Sequence, residues 1–217
     1  MGFKINILNE VLELFPQKVI MWHSKRMLVV ADVHLGKINH FRKNGIPVPA
    51  RAGRQNIEAL VSILDFLQPR RVLFLGDLFH SRFNSDWEAV LQVIRHYESV
   101  SFELVEGNHD VLEKVHYEQS GLKLHGAYLE ESPFLFTHQP MEAVPEGKFN
   151  IAGHLHPGLF LQGRGKQGIK LPCFHFSAQR AVCPAFGGFT GLSSVRPMNG
   201  DRLFVIADSE VVEVSAK

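Results

Sequence analysis

The sequence of 217 residues contains little cysteine, no long apolar run and no excess charge of either sign. Cys173 and Cys183 form no C-x-x-C motif and are too few for a disulfide framework, so we expect reduced, structural thiols. No apolar run approaches the roughly 20 residues that cross a bilayer, which predicts no membrane partner. The N-terminal segment lacks a basic region and a small-residue cleavage site, so we predict no signal peptide and a cytoplasmic location.

The composition indicates one globular domain. Apolar residues make up 45% of the chain, and its length is sufficient to bury a sizeable core, so we predict a single domain over residues 1–217. A formal net charge of +1 neither indicates nor excludes nucleic acid as a partner. Twelve histidines are an unusual number, and their positions carry most of the information.

Short apolar runs closed by Gly or Asp predict buried strands. These runs occupy residues 27–31, 71–75, 101–105, 134–138, 149–153, 170–176, 203–207 and 211–215. Apolar residues at helical spacing predict helices over residues 54–68 and 86–97. The alternation of strand and helix in the first half implies parallel pairing, and the second half is rich in strands. We therefore predict a mixed α/β fold with two packed sheets and helices outside, in which residues 157–200 form loops and short strands.

Polar side chains of metal-ligand type follow five of these strands. The clusters are Asp32-Val33-His34, Gly76-Asp77, Gly107-Asn108-His109-Asp110, His138 and Gly153-His154-Leu155-His156. In α/β sheets ligands bind at the carboxyl ends of strands, so we expect these groups to converge. Carboxylate and imidazole together suit a pair of divalent cations such as Mn, Fe or Zn. Taken singly, Asp and Gly-Asn are common in turns, and His138 could be a core histidine. The five clusters together favour a metal site.

In this order, the five clusters resemble the signature of the calcineurin-like metallophosphoesterase superfamily. The resemblance implies a four-layer α/β/β/α sandwich of two mixed β-sheets flanked by helices. It also implies two divalent metal ions, most commonly Mn²⁺, with Fe, Zn or Mg as alternatives. The implied ligands are Asp32, His34 and His156 for one ion, Asn108, His138 and His154 for the other, and Asp77 as a bridge.

The same resemblance implies a catalytic mechanism. A hydroxide activated by two metals would attack the phosphorus of a phosphodiester in line. His109 would contact the phosphoryl group or protonate the leaving oxygen, and Asp110 would orient the His109 imidazole by accepting its other N–H.

Two segments are similar to a narrower group. The segment ADVHLGKINHFRKNGIPVP and residues 183–192, CPAFGGFTGL, resemble the bacterial ligase-associated DNA-repair endonucleases of the PdeM type, and Gly76–His80 resembles the SbcD-type nucleases. The resemblance implies a Mn-dependent DNA endonuclease, with a helicase and a DNA ligase as partners and a homodimer as a possible state. Fold and metal site do not determine the substrate, so a small-molecule phosphodiesterase or phosphatase stays open as an alternative, and a non-catalytic metal-binding scaffold is a weaker one.

Candidate substrate-binding residues follow the first cluster. Lys37, Arg42 and Arg51, with Lys43 and Arg54, could form a rim that binds phosphate or an ordinary solvated surface, and His80 could border the site or cap a loop. In the segment 183–192, Phe186 and Phe189 could stack on bases or could pack in the core.

Overall fold

A computed structural model of the chain describes residues 1–37, 51–79, 85–163, 165, 167–188 and 190–215. Of residues 51–54, 85, 86 and 215 the backbone alone is described. The candidate residues Arg42, Lys43, His80 and Phe189 therefore lie outside the described residues, as do the side chains of Arg51 and Arg54.

The first sheet has seven strands in chain order. They are β1 (Phe3–Ile7), β2 (Glu10–Phe15), β3 (Val19–Trp22), β4 (Met27–Val30), β5 (Arg71–Leu75), β6 (Ser101–Val105) and β7 (Leu122–Leu124). The strands β1 to β4 form an antiparallel meander, whereas β4 to β7 run parallel. The predicted parallel pairing of the first half is thus confirmed for the three strands on which the prediction rested.

Three helices among the described residues connect the parallel strands. They are α1 (Arg51–Leu67), α2 (Ser85–His96) and α3 (Lys114–Gln119). Their apolar stripes bury Leu60 and Leu64 from α1, Trp87 from α2 and Tyr117 from α3 against one face of the first sheet. The two predicted helices are confirmed. None of the helices that the structure describes is long and apolar enough to cross a membrane.

The second sheet has nine strands. They are β8 (Tyr128–Glu131), β9 (Phe134–Thr137), β10 (Phe149–Ala152), β11 (Pro157–Gln162), β12 (Gly168–Phe176), β13 (Arg180–Val182), β14 (Ser193–Ser194), β15 (Arg202–Ala207) and β16 (Glu210–Ser215). At its centre β9, β10 and β13 are parallel, and β8 pairs antiparallel with β9. The remaining strands are joined through β12, which pairs antiparallel with β11, β13 and β15.

The two sheets pack face to face through a large apolar layer. Trp22 from the first sheet contacts Phe134 from the second, with ring centroids 4.8 Å apart. Phe174 and Phe204, which are paired across the neighbouring strands β12 and β15, are fully buried in the same layer. The mixed α/β fold with two mixed sheets is therefore confirmed. The described helices all lie on the first sheet. On the outer face of the second sheet, the described residues form a smaller apolar cluster of strand and loop side chains around Cys173 and Leu203.

Both cysteines are free and buried, as expected for structural thiols. Burial raises the pKa of Cys173 to about 12 and raises that of Cys183 further, so neither is a thiolate at neutral pH. The predicted loop-rich region 157–200 contains β11 to β14, including a hairpin in which Ser177 donates its backbone N–H to Arg180.

Candidate metal centre

Both sheets bring the carboxyl ends of their parallel strands to one edge. The strands β4, β5 and β6 lead into Asp32, Asp77 and Asn108, while β9 and β10 lead into His138 and His154. The loops after β4 and β5 stay paired beyond the strands, because His34 donates its backbone N–H to the Asp77 carbonyl at 2.9 Å. The convergence expected from the sequence is present in the structure.

A first group of ligand-type side chains consists of Asp32, His34 and His156, which we call the first triad. One nitrogen or oxygen atom from each lies within 4.8 Å of the others. The Nε2 atoms of His34 and His156 are 3.3 Å apart, and His156 Nε2 is 3.4 Å from Asp32 Oδ1. This spacing could hold one metal ion among the three side chains.

A second group consists of Asp77, His138 and His154, which we call the second triad. His138 Nε2 is 3.0 Å from His154 Nδ1 and 3.4 Å from Asp77 Oδ1. Asn108 adds its Oδ1 atom 2.9 Å from the same His138 nitrogen. The second triad therefore has an amide oxygen beside it.

Asp77 of the second triad also faces the first triad. Its Oδ1 atom faces His138, as described, and its Oδ2 atom is 3.8 Å from His34 Nε2 in the first triad. The carboxylate is almost fully buried, so its two oxygens are directed into the site rather than into solvent. This is the geometry that a carboxylate shared by two cations requires.

The lone pairs of the candidate ligands are placed where they could bind cations. The Leu75 carbonyl can only accept, so His138 Nδ1, 2.9 Å away, carries the hydrogen of that bond, and His138 Nε2 is the ring atom directed at the candidate ligands. His138 Nε2 is 3.4 Å from Asp77 Oδ1, so both atoms are directed at the same point, where a cation could be bound by the two of them. Asp32 Oδ1 is buried and accepts no hydrogen bond from the described residues. A divalent cation would satisfy each of these lone pairs.

The backbone of the candidate ligands is unusual. Positive φ angles, in the left-handed region, occur at Asp32 (53°), His34 (50°), Asp77 (48°), His154 (68°) and His156 (47°). Non-glycine residues rarely adopt this region, each at a cost of about 1–3 kcal/mol, and they cluster at functional sites. The fold therefore holds five of the seven predicted ligands in conformations that they would not adopt on their own.

Comparison with known proteins identifies the family of the chain. Residues 25–179, more than half of the chain, match the family model described as calcineurin-like phosphoesterase. The chain belongs to this family.

Two solved structures are similar to this calcineurin-like phosphoesterase. The nuclease MPE of Pseudomonas putida superposes with a TM-score of 0.81 at 24% identity, covering 99% of this chain and 100% of that one. YfcE, a phosphoesterase from E. coli, superposes with a TM-score of 0.47 at 14% identity, covering 87% of this chain and 97% of that one. No curated protein matches the chain. The first similarity shows a shared fold over the whole length of both chains.

Two glycines allow backbone segments to approach the candidate ligands of this phosphoesterase. A Cβ atom at Gly153 would lie 2.5 Å from Asp32 Oδ2 and 3.0 Å from Ala31 Cβ. Gly76 has a φ of 73°, and a Cβ atom there would collide with the His138 ring. The glycines that precede Asp77 and His154 in the sequence motifs are therefore both required by space, and Gly76 is required by its left-handed φ as well.

The electrostatics of the site favour neutral imidazole at one ligand. Burial, together with the neighbouring His138, lowers the pKa of His154, although Asp32 and Asp77 act in the opposite direction. A neutral ring keeps its lone pair free for a metal ion at neutral pH.

His109 stands at the open side of the centre. Its backbone N–H donates to Asp77 Oδ1 at 2.9 Å, and its Nε2 atom is 4.0 Å from Asp77 Oδ2. The side chain is 41% exposed, so the ring adjoins the candidate ligands and can also be reached from solvent. The structure thus places His109 where a bound substrate could contact it.

The structure corrects the contact expected for Asp110. Its two carboxylate oxygens accept backbone N–H groups of Phe79 at 3.2 Å and Gly107 at 3.0 Å, and the described residues show no hydrogen bond from Asp110 to the His109 ring. Burial raises the pKa of Asp110 to about 7, against the lowering effect of these two hydrogen bonds. Asp110 therefore links the loops after β5 and β6 and does not orient His109 directly.

Of the candidate substrate residues, Lys37 is the one with a described side chain. It is partly buried near the centre: burial lowers its pKa, while the charges of Asp77 and Asp32 raise it. In the segment 183–192, Phe186 is buried in the core beneath the helices, which confirms packing for this ring. Sequence reasoning missed the roles of the Leu75 carbonyl and the Phe79 N–H, because a backbone group has no signal in the sequence.

Proposed function

We propose that the chain is a metal-dependent phosphodiesterase that acts on DNA as an endonuclease. The observation that carries this proposal is the pair of neighbouring triads, in which Asp77 of the second also faces His34 of the first, in a member of the calcineurin-like phosphoesterase family. Asp32, His34 and His156 would hold one ion, and His138, His154 and Asn108 the other, with Asp77 shared.

Two bound divalent ions would supply Lewis-acid activation of water and neutralise charge on the phosphoryl oxygens. The chain's own residues would arrange this chemistry. The Leu75 carbonyl accepts from His138 Nδ1 and so directs Nε2 of that ring at the centre, and the His154 N–H donates to Asp32 Oδ2 at 2.8 Å. The ligand atoms would therefore be oriented before a substrate arrives.

His109 would act on the substrate itself. In hydrolysis a water oxygen bonds to phosphorus, the bond from phosphorus to the leaving oxygen breaks, and that oxygen needs a proton. The His109 imidazole, exposed to solvent and adjacent to Asp77, is placed to donate this proton and to recover it from water. Lys37, with a positive charge near the two carboxylates, would contribute to binding the phosphate.

DNA as the substrate is supported by the shared fold with the Pseudomonas putida nuclease over the whole chain and by the basic residues that follow the first cluster. We propose a cytoplasmic role in DNA repair, with a helicase and a DNA ligase of the same system as partners, and a homodimer as the assembly.

A nicking assay tests this function. Purified protein with Mn²⁺ would be incubated with supercoiled plasmid, with single-stranded DNA and with a small chromogenic phosphodiester. His109→Ala is the test variant, and His96→Ala, which changes an exposed histidine at the far end of α2, is its matched control. Cleavage of DNA by the wild type and by His96→Ala, but not by His109→Ala, would support the proposal. Hydrolysis of the small diester without any cleavage of DNA would identify a small-molecule phosphodiesterase instead.

A further inference from the structure

Asn56, on α1, connects two loops that sequence analysis did not link. Its Nδ2 atom donates to the Val33 carbonyl at 3.2 Å, and its Oδ1 atom accepts the Gly188 N–H at 3.1 Å. Val33 lies between Asp32 and His34 of the first triad, and Gly188 belongs to the segment 183–192. One amide side chain therefore ties both loops to the helix.

The segment around Gly188 runs alongside the loop of the first triad. Phe186 donates its N–H to the Ala31 carbonyl at 2.8 Å, and Gly187 donates to the Asp32 carbonyl at 3.1 Å. A Cβ atom at Gly187 would lie 2.6 Å from the Val33 carbonyl oxygen, so the two backbones approach closely enough to exclude any side chain. This segment acts as a brace against the loop that carries Asp32 and His34.

These contacts hold successive peptide groups of one loop from outside. The Asp32 carbonyl is bound by Gly187, the Val33 carbonyl by Asn56, and the His34 N–H by the Asp77 carbonyl. Both Asp32 and His34 have left-handed φ angles, which an unsupported loop would abandon. The orientation of the peptide groups sets where the two side chains project, so the hydrogen bond to Val33 maintains the geometry of the first triad.

The second triad is supported differently. His138 is held by the Leu75 carbonyl, and among the described residues no hydrogen bond joins Asn56 to Asp77, His138 or His154. Loss of the Asn56 amide should therefore disturb the first triad more than the second, which is joined to the same loop by the His154 N–H to Asp32 Oδ2 and by the His34 N–H to the Asp77 carbonyl.

We propose that Asn56 is a positioning residue that sets the affinity of the first triad for its metal ion. This inference rests on the proposed two-metal centre, but it concerns metal binding and does not depend on the substrate. The brace formed by residues 186–188 and the Asn56 amide would act together, which gives the segment 183–192 a function other than contact with DNA.

The test is a titration of the metal-free full chain with Mn²⁺. Binding is measured by calorimetry and, separately, by the electron paramagnetic resonance signal of the free ion. We expect wild type to bind two ions. Asn56→Ala should weaken one of the two binding steps by about tenfold to a hundredfold and leave the other within about twofold, as is typical when support of a metal ligand is lost. Glu58→Ala is the matched control, because Glu58 is exposed on the same helix; both of its binding steps should equal those of wild type.

A second variant covers the case in which Asn56→Ala does not fold. Asn56→Asp keeps the size of the side chain and an oxygen for the Gly188 N–H, but it removes the donor to Val33, so it should fold and show the same selective loss. Folded variants that bind both ions like wild type, or that lose both steps equally, would overturn the proposal. An inactive wild type that still binds two ions would refute the proposed DNA substrate and leave this test valid.

Discussion

Gly153→Ala is a small perturbation aimed at the first triad. The added methyl group would lie 2.5 Å from Asp32 Oδ2, well inside contact distance, and the Asp32 carboxylate would have to move. That movement breaks the 2.8 Å hydrogen bond from the His154 N–H to Asp32 Oδ2. Gly153 does not have a left-handed φ, so alanine there adds no backbone strain of its own.

The expected loss of stability follows from that one contact. A hydrogen bond to a charged group contributes about 1.5–3 kcal/mol to the free energy of unfolding. Alanine lowers the conformational entropy of the unfolded chain, which offsets about 0.4–1 kcal/mol of the loss. The metal-free variant should therefore unfold with a free energy about 1–2 kcal/mol lower than wild type. Because the displaced carboxylate is a candidate ligand, one of two Mn²⁺ binding steps should also weaken by about tenfold to a hundredfold.

Urea denaturation of the metal-free protein and Mn²⁺ calorimetry measure these two effects. Gly191→Ala is the control, because a Cβ atom there meets no described atom within 4 Å and its φ is not left-handed. The control should keep the wild-type stability, or gain slightly, and should bind both ions normally. A Gly153→Ala protein with wild-type stability and wild-type binding of both ions would refute the placement of Asp32 at a metal position.

Three further predictions concern single side chains. Asp77→Ala should weaken both Mn²⁺ binding steps and abolish nicking, because its oxygens face different triads; residual turnover near that of wild type would contradict a shared carboxylate. His109→Ala should bind both ions but cleave about 10²–10⁴-fold more slowly at saturating Mn²⁺, as expected for loss of a proton donor, and loss of an ion would show that His109 is a ligand. Burial and His138 lower the pKa of His154 below its value in the unfolded chain. As the pH falls, the His154 ring is therefore protonated in the unfolded chain before it is protonated in the folded chain, and the metal-free protein should lose stability in urea below about pH 6.5. His154→Gln should reduce that loss, and an unchanged pH dependence would contradict it.

Much of the fold was predictable because its central strands are buried on both faces. Residues 72–75 are continuously apolar, and residues 149–152 are apolar except for Asn150, which is close to the pattern of interior strands. The N-terminal strands β1 to β3 were not predicted, although Phe3–Ile7 alternates apolar and polar residues with a period of two. Glu13 interrupts the apolar positions of β2 that face the core. It is buried, at 8% exposure, and is hydrogen-bonded to His23 at 2.7 Å. Such a pair is formed by tertiary contact and has no local sequence signal.

The convergence of the seven candidate ligands was predictable, because each motif ends a strand and the strand ends meet at one edge. What could not be predicted is how backbone groups hold them. The two N–H groups bound by Asp110 and the carbonyl bound by His138 belong to residues whose side chains are apolar or absent, so these hydrogen bonds have no signal in the sequence. His125 and His175, which lie outside the five clusters, are hydrogen-bonded to Glu103 and Asp201.

The two triads are expected to bind one ion each, with Asp77 shared. Crystals grown with Mn²⁺ and measured at the manganese absorption edge would show each ion as an anomalous difference peak. We predict two peaks per chain, one among Asp32, His34 and His156 and one among Asn108, His138 and His154, each with an oxygen of Asp77 as a ligand. A single peak, or peaks away from these side chains, would contradict the account.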